Sequence, residues 1–264
     1  MGLKAIILAA GYATRLQKSV KGTDYEPLFS TTPKPLLPIA GRPAIDYLID
    51  KIEEVKPLVE EVILITNATF YERFKEWKKH SSSKLKIRII NDKSEDQDHK
   101  KGAVRDLVIG IGRDSEIKAP RIDDDVFVLS GDRLFEFSLN EMAVYQRAKK
   151  ASILIHYDCH SQEAVKTSGE LTLESNSRVV NFIEKPRHPK STFLCPSLYL
   201  FTKSALNKLP HYLKNGNPVD PIGKFPGWLY NKVPLYAFNA TGYLFDLGSL
   251  NSYLAAEKFF RAKC

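Results

Sequence analysis

The sequence predicts an α/β protein: a mostly parallel central sheet covered by helices, with a smaller mixed α/β part attached. Three observations carry that expectation. Short apolar runs at residues 4–9, 61–66 and 126–129 read as strands buried on both faces. Between them lie segments of helical periodicity, and strand alternating with helix is the pattern of a parallel sheet. After Asp158 the pattern changes to strand-like segments at 171–173, 179–183, 193–201 and 233–238, separated by charged or proline-containing turns.

Residues 4–9 end at Gly11, so the first strand feeds a loop. Pro43 suits the first turn of a helix, where its missing N–H has no partner to lose. Ile45, Leu48, Ile49 and Ile52 then share one face, and Pro57 ends the helix. Residues 61–66 form the second strand. Phe70, Phe74 and Trp77 follow at helical spacing with Lys75, Glu76 and Lys78 between them, a core-facing seam and not a cofactor box. A third strand at 86–90 leads into a polar, charged loop at 91–102, then a helix at 103–110. The strand 126–129 ends in Ser130-Gly131-Asp132, a helix spans 139–149, and a strand returns at 152–157. A final helix covers about 250–260, and no appended repeat domain is expected within these 264 residues. No repeat or linker separates the halves, so residues 1–264 are expected to form one domain.

Hydrophobic residues make up 43% and charged residues 27% of the 264, enough apolar material for a sizeable core and too much for disorder. No apolar run reaches bilayer length, and the opening stretch lacks the basic region of a signal peptide. Cys159, Cys195 and Cys264 are an odd, widely spaced set that suits a reducing compartment, with the cytoplasm as default. The net charge is +8, but the basic residues are scattered and form no block with interleaved aromatics. That distribution argues against nucleic acid or a membrane as partner and fits a cleft that attracts polyphosphate.

Chemistry concentrates in five short stretches. LAAGYATRL (residues 8–16) opens the backbone to a nucleotide at Ala9, Ala10 and Gly11, and Arg15 brings a forked cation to phosphate. Its glycine spacing fits neither a P-loop nor a dinucleotide fingerprint. TTPKPLLPI (31–39) stiffens the chain around Lys34, either to hold an ammonium near phosphate or simply as a surface loop. Asp132 stands at the carboxyl end of its strand, as a Mg²⁺ ligand or as a helix cap. FDLGSLNSYLAA (245–256) repeats the design with Asp246 and Gly248. In FIEKP (182–186), Glu184 can accept from polyol hydroxyls and Lys185 can pair with phosphate; the alternative is a surface charge pair.

Taken together and in this order, these stretches resemble the sugar-1-phosphate nucleotidyltransferases, the pyrophosphorylases that make nucleoside diphosphate sugars. The resemblance spans nearly the whole chain. It implies a Rossmann-like nucleotidyltransferase fold, with residues 1–158 as the NTP-binding part and 159–264 as the acceptor-binding part carrying the second metal aspartate. It places Arg15 and Lys34 on the triphosphate, Gly102 and Ala103 near base and ribose, and Asp132 and Asp246 on Mg²⁺. Glu184 would contact sugar hydroxyls and Lys185 the acceptor phosphate. UTP or dTTP is the donor the family suggests. Asn91, Asp92 and Gln97 have suitable groups for reading the base, but their loop fits no base-reading pattern.

The chain also departs from the family. Pro27-Leu28-Phe29 stands where Pro-Leu-Thr usually follows, after a polar insertion at 17–26 that is either a lid or a longer surface loop. Ser168-Gly169-Glu170 replaces a Tyr-Gly-Val stretch, and Ser197-Leu198-Tyr199 replaces Gly-Ile-Tyr, which would put side chains into the acceptor pocket. Three functions follow: transfer of NMP to a sugar 1-phosphate with release of pyrophosphate, cytidylyl transfer to another phosphorylated alcohol such as phosphocholine, or non-catalytic nucleotide-sugar binding.

Overall fold

In the structure, a computed structural model describing residues 2–263, eight strands form one central sheet. Leu3–Leu8 lies near its middle, parallel to Asp125–Ser130 on one side and to Val59–Thr66 on the other. Ile87–Asn91 extends the sheet in parallel beyond Val59–Thr66. Leu198–Phe201 is the antiparallel exception, inserted between Asp125–Ser130 and Ser152–Asp158. Leu235–Ala240 runs parallel to Ser152–Asp158 at the far edge. The stretch expected as one strand over 193–201 is two, Phe193–Leu194 and Leu198–Phe201. Pro196 between them has no N–H to give the ladder.

Period-two alternation sorts the strands' side chains to two cores. Ala5 and Ile7 join Leu64, Phe127 and Leu129 under the helices Ala44–Glu53, Tyr71–His80 and Leu139–Lys149. Ile6 joins Ile63, Ile65, Val126 and Val128 under Ala103–Gly110 and the short helices of the last third. Phe74 and Trp77 are buried in the first of these cores, as the aromatic seam requires. Pro43 caps Ala44–Glu53 and pairs in the two-residue strand Arg42–Pro43, one position before the helix.

The insertion at 17–26 is not a free loop. Helices Thr14–Ser19 and Glu26–Thr31 bracket it, and Leu16, Val20 and Phe29 build a third core against the last helix, Leu250–Arg261. Phe29 meets Tyr253 edge-on at 4.9 Å. Two antiparallel pairs stand off the main sheet: Gly169–Leu173 with Val179–Glu184, and Arg133–Phe135 with Leu244–Asp246. Among the described residues no helix is long and apolar enough to cross a membrane.

The chain moves to one side of the first strand for Val59–Thr66 and Ile87–Asn91, then to the other side for Asp125–Ser130. Such a reversal opens a crevice at the carboxyl ends of the two strands that flank it.

Candidate active site

A cavity of about 600 Å³ occupies that crevice. Its floor is tied by backbone bonds between strand ends: Gly131 N–H donates to Leu8 O at 3.0 Å and Ser130 N–H to Ser197 O at 3.1 Å. Gly131 has a steric reason. A Cβ there would sit 3.0 Å from Pro35 Cγ and 3.2 Å from Ile7 Cγ2. Without that atom the Pro33-Lys34-Pro35 turn packs against the strand end, and Lys34 Nζ donates to Asp132 Oδ2 at 2.8 Å. Ser130 Oγ donates to Asp132 Oδ1 at 2.7 Å.

The second aspartate arrives by strand pairing. In the antiparallel pair, Asp246 faces Arg133, and Leu247 N–H donates to Asp132 O at 3.0 Å. Arg133 Nη2 then pairs with Asp246 Oδ2 at 2.9 Å. Burial alone would raise the Asp132 carboxyl. The charges of Lys34 and Arg133, with the bonds from Lys34 and Ser130, outweigh it and hold the carboxyl well below the usual range. Two carboxylates therefore stand together, each paired with a cation.

Arg15 and Lys185 are exposed cations on the cavity wall, and no described residue forms an ion pair with either. Lys185 has φ of 52° immediately before Pro186, where left-handed backbone is disfavoured twice over. Its N–H is fixed to Ser168 O at 2.8 Å. Glu184 beside it is largely withdrawn from water; burial raises its carboxyl, opposed by Lys185, Lys224 and Arg133.

Ala9, Ala10 and Gly11 line the middle of the cavity. Asn67 Nδ2 holds Ala10 O at 3.0 Å, and no protein atom lies within 4 Å of where a Cβ on Gly11 would project. Gly102 and Ala103 form the far wall. Gly102 has φ of 90°, and a Cβ there would come within 2.8 Å of Val219, whose carbonyl accepts Val104 N–H. The cavity thus gathers the eleven residues that the resemblance places at the NTP, the metal or the acceptor: Ala9, Ala10, Gly11, Arg15, Lys34, Gly102, Ala103, Asp132, Glu184, Lys185 and Asp246; Asn91 does not line it. Gln97 and Asp92 line it as well.

Two acceptor-side expectations change. Ser197 lines the cavity, but Ser168 and Glu170 do not. Glu170 is buried, and its Oε1 accepts from Lys190 N–H, Ser191 N–H and Ser191 Oγ at 2.7 to 3.0 Å, so it fixes a loop instead of narrowing the acceptor pocket. Sequence reasoning also missed residues. Arg133 follows Asp132 directly, but a lone arginine after a turn has no pattern to mark it. Asn67, Asp106 and Asp220 carried no motif at all.

The fit to Mg²⁺ rests on this donor set. Among the described residues no group of three or more His, Cys, Asp or Glu is arranged to hold a metal. Mg²⁺ does not need one; it is commonly held by one or two carboxylates, with substrate phosphates and water completing the shell. Asp132 and Asp246, both lining the cavity and each paired with a cation, fit that mode.

The nucleotidyl transferase family profile matches residues 4–263. The chain belongs to that family. The relatives it resembles are sugar-1-phosphate nucleotidyltransferases. It is 26% identical over 263 residues to the bifunctional protein GlmU of Methanococcus maripaludis, covering 99% of this chain and 55% of that protein. It is 25% identical over 266 residues to a UTP–glucose-1-phosphate uridylyltransferase of Synechocystis, covering 96% and 62%. The chain therefore spans between about half and two thirds of the length of these relatives. A UDP-glucose pyrophosphorylase solved with UDP-glucose has the same fold over 100% of both chains, with a TM-score of 0.78 at 20% identity.

Proposed function

We propose that the protein is a Mg²⁺-dependent nucleotidyltransferase that transfers NMP from an NTP to a sugar 1-phosphate, releasing pyrophosphate and forming an NDP-sugar. The observation that carries this reading is the single cavity in which two cation-held aspartates lie between a backbone loop open to a nucleotide and the Glu184-Lys185 turn.

An acceptor phosphate oxygen attacks the α-phosphorus in line; the bond from the α-phosphorus to its bridging oxygen breaks, and pyrophosphate leaves. The acceptor phosphate is already ionised near neutral pH, so no general base is needed. The barrier is the approach of two anions, and the chain's cations lower it. Arg15 and Lys34 hold the triphosphate. Lys185 neutralises the acceptor phosphate, and Glu184 accepts from sugar hydroxyls. Ala9, Ala10, Gly11, Gly102 and Ala103 let base and ribose approach backbone. Asp132 and Asp246 are the residues that would hold Mg²⁺, which supplies positive charge at the reacting phosphates when bound.

Residues 1–158 contribute most of the NTP half and 159–264 the acceptor half with Asp246. The Synechocystis relative, named for UTP, favours a uridine donor, with dTTP the alternative; the odd, widely spaced cysteines favour the cytoplasm. A matrix of NTPs against sugar 1-phosphates and phosphocholine, read by pyrophosphate release with and without EDTA, tests the proposal. Release with phosphocholine alone moves the protein to the other acceptor class. Binding without release in every combination makes it a nucleotide-sugar binding protein.

A further inference from the structure

We propose that the back of the antiparallel ribbon formed by Gly169–Leu173 and Val179–Glu184 holds a second, non-catalytic site for an uncharged sugar ring, with Glu170 as its main acceptor. The site does not depend on the nucleotidyltransferase reading, because it shares no lining residue with the catalytic cavity.

A pocket of about 350 Å³ lies between that ribbon and the edge of the central sheet. Successive side chains of a strand point to opposite faces, and the ribbon sorts its residues accordingly. Phe182 and Glu184 turn to the second core and the catalytic cavity. Asn181 and Ile183 turn the other way and line the pocket, opposite Thr172 and Glu170 in the antiparallel register. The main sheet supplies His156 and Phe193, whose rings stack at 4.3 Å and 10°.

Glu170 is the residue that calls for a ligand. It is only 6% exposed, and all its bonds from described residues arrive at Oε1: Lys190 N–H at 2.7 Å, Ser191 N–H at 2.8 Å and Ser191 Oγ at 3.0 Å. Oε2 accepts from no described donor, yet it is not among the polar atoms sealed inside the protein, so it opens to the pocket that Glu170 lines. A carboxylate oxygen so withdrawn is costly to leave without a donor.

The rest of the wall selects the donor. Lys190 lines the pocket too, exposed and paired with no described carboxylate. Glu170 repels an anion and Lys190 a cation, which favours an uncharged molecule over either. Thr172 and Asn181 can each donate and accept, and no described residue bonds their side chains. His156 Nδ1 is taken by Asn239 Oδ1 at 3.0 Å. Burial lowers the pKa of that ring, against the Asn239 bond and Asp158, so neutral His156 keeps Nε2 as an acceptor. Hydroxyls donate and accept at once and match this mixture. Ile183, 41% exposed, joins Leu173 and Phe193 as an apolar patch for the C–H face of a ring. The volume is at the small end for ligand sites, which suits a single ring.

The test is calorimetry with glucose, galactose and mannose as probes, without nucleotide or Mg²⁺, on wild type, Ile183→Arg, Glu170→Gln and Glu184→Gln. At least one probe is expected to bind wild type. Ile183→Arg, at an exposed position, sets a guanidinium against Glu170 in the same cross-strand pair and should abolish that binding. Glu170→Gln can keep a carbonyl on the Lys190 and Ser191 donors but loses the open carboxylate oxygen, and should weaken binding by about 5-fold or more. Glu184→Gln, on the other face, should leave it unchanged. Loss in Glu184→Gln with none in Ile183→Arg assigns the sugar to the catalytic cavity and overturns the second site, as does failure of all three probes to bind wild type. Choline or inorganic phosphate binding more tightly than the sugars, and lost in Ile183→Arg, overturns the uncharged class. None of these readouts uses pyrophosphate release, so the proposed function stands or falls separately.

Discussion

Asp132 and Asp106 are both withdrawn from solvent on the wall of one cavity, yet their surroundings drive them to opposite protonation states. Asp132 touches Lys34 and follows the strand end beside Arg133, so its carboxyl stays ionised against the effect of burial. Asp106 faces another aspartate, and its one opposing cation, Arg105, is engaged by Asp114 and Glu116, so burial prevails. The same side chain is held charged at one end of the cavity and driven toward its neutral form at the other.

The largest expected effects lie at the charged end. Asp132→Asn and Asp246→Asn should each keep the fold and lower kcat by about 10² or more, because an amide cannot replace a carboxylate's charge at a hard cation. Steady-state pyrophosphate release measures it, and full activity in either variant removes that residue from the metal assignment. The double variant should lose less than the product of the two, since both residues serve one centre.

Next come the cations. Lys34→Ala and Arg15→Ala should each lower kcat/KM by about 10² if they meet developing charge. Wild-type kinetics for Lys34→Ala would leave its bond to Asp132 as a purely structural contact, and the contrast between the two ends would lose its functional meaning.

How far the sequence carries this contrast depends on the interaction type. Continuous apolar runs placed the main strands, and helical periodicity the main helices, within a few residues, because burial on two faces leaves a local signature such as Ala5, Ile6 and Ile7. Lys34 and Asp132 were visible through their turns, but not their meeting across 98 residues, which depends on Gly131 making room for Pro35. The strand break at Pro196 was legible in principle and was read through. The short helices around residues 17–26 were not legible, since Leu16, Val20 and Phe29 bury against a helix more than 200 positions away. Asp106 gave no signal because its raised carboxyl depends on Asp92, which the end of the strand Ile87–Asn91 delivers.

A smaller effect concerns the acceptor. Lys185→Ala should raise KM for every phosphorylated acceptor by about 10-fold, and Glu184→Gln should do so mainly for polyhydroxy acceptors, with KM for the NTP unchanged in both. Titration of sugar 1-phosphates at saturating NTP separates these. Gly223→Ala offers a steric version, since a methyl there would collide with the Glu184 carboxylate. If none of the three alters acceptor KM, the Glu184-Lys185 turn is not the acceptor site.

The smallest effect is on stability, and its sign tests the contrast directly. Asp106 has a higher pKa folded than unfolded, so the folded state binds more protons. Its contribution is fully present below the unfolded value of about 3.9 and is lost as pH rises toward the folded value. Asp106→Asn carries no such loss. Its Tm should match wild type near pH 4 and exceed it by about a few degrees at pH 8. Asp132 has the opposite linkage: its folded pKa is depressed, so its contribution is present above about 3.9 and lost as pH falls toward the folded value. Asp132→Asn should therefore melt below wild type at pH 8, and the gap should shrink at acid pH. Both series are read by thermal unfolding with EDTA and without nucleotide, so that neither metal nor ligand binding enters. Opposite signs at pH 8 are the signature of two aspartates held in opposite states. If both variants move the same way, the two aspartates are not held in opposite states.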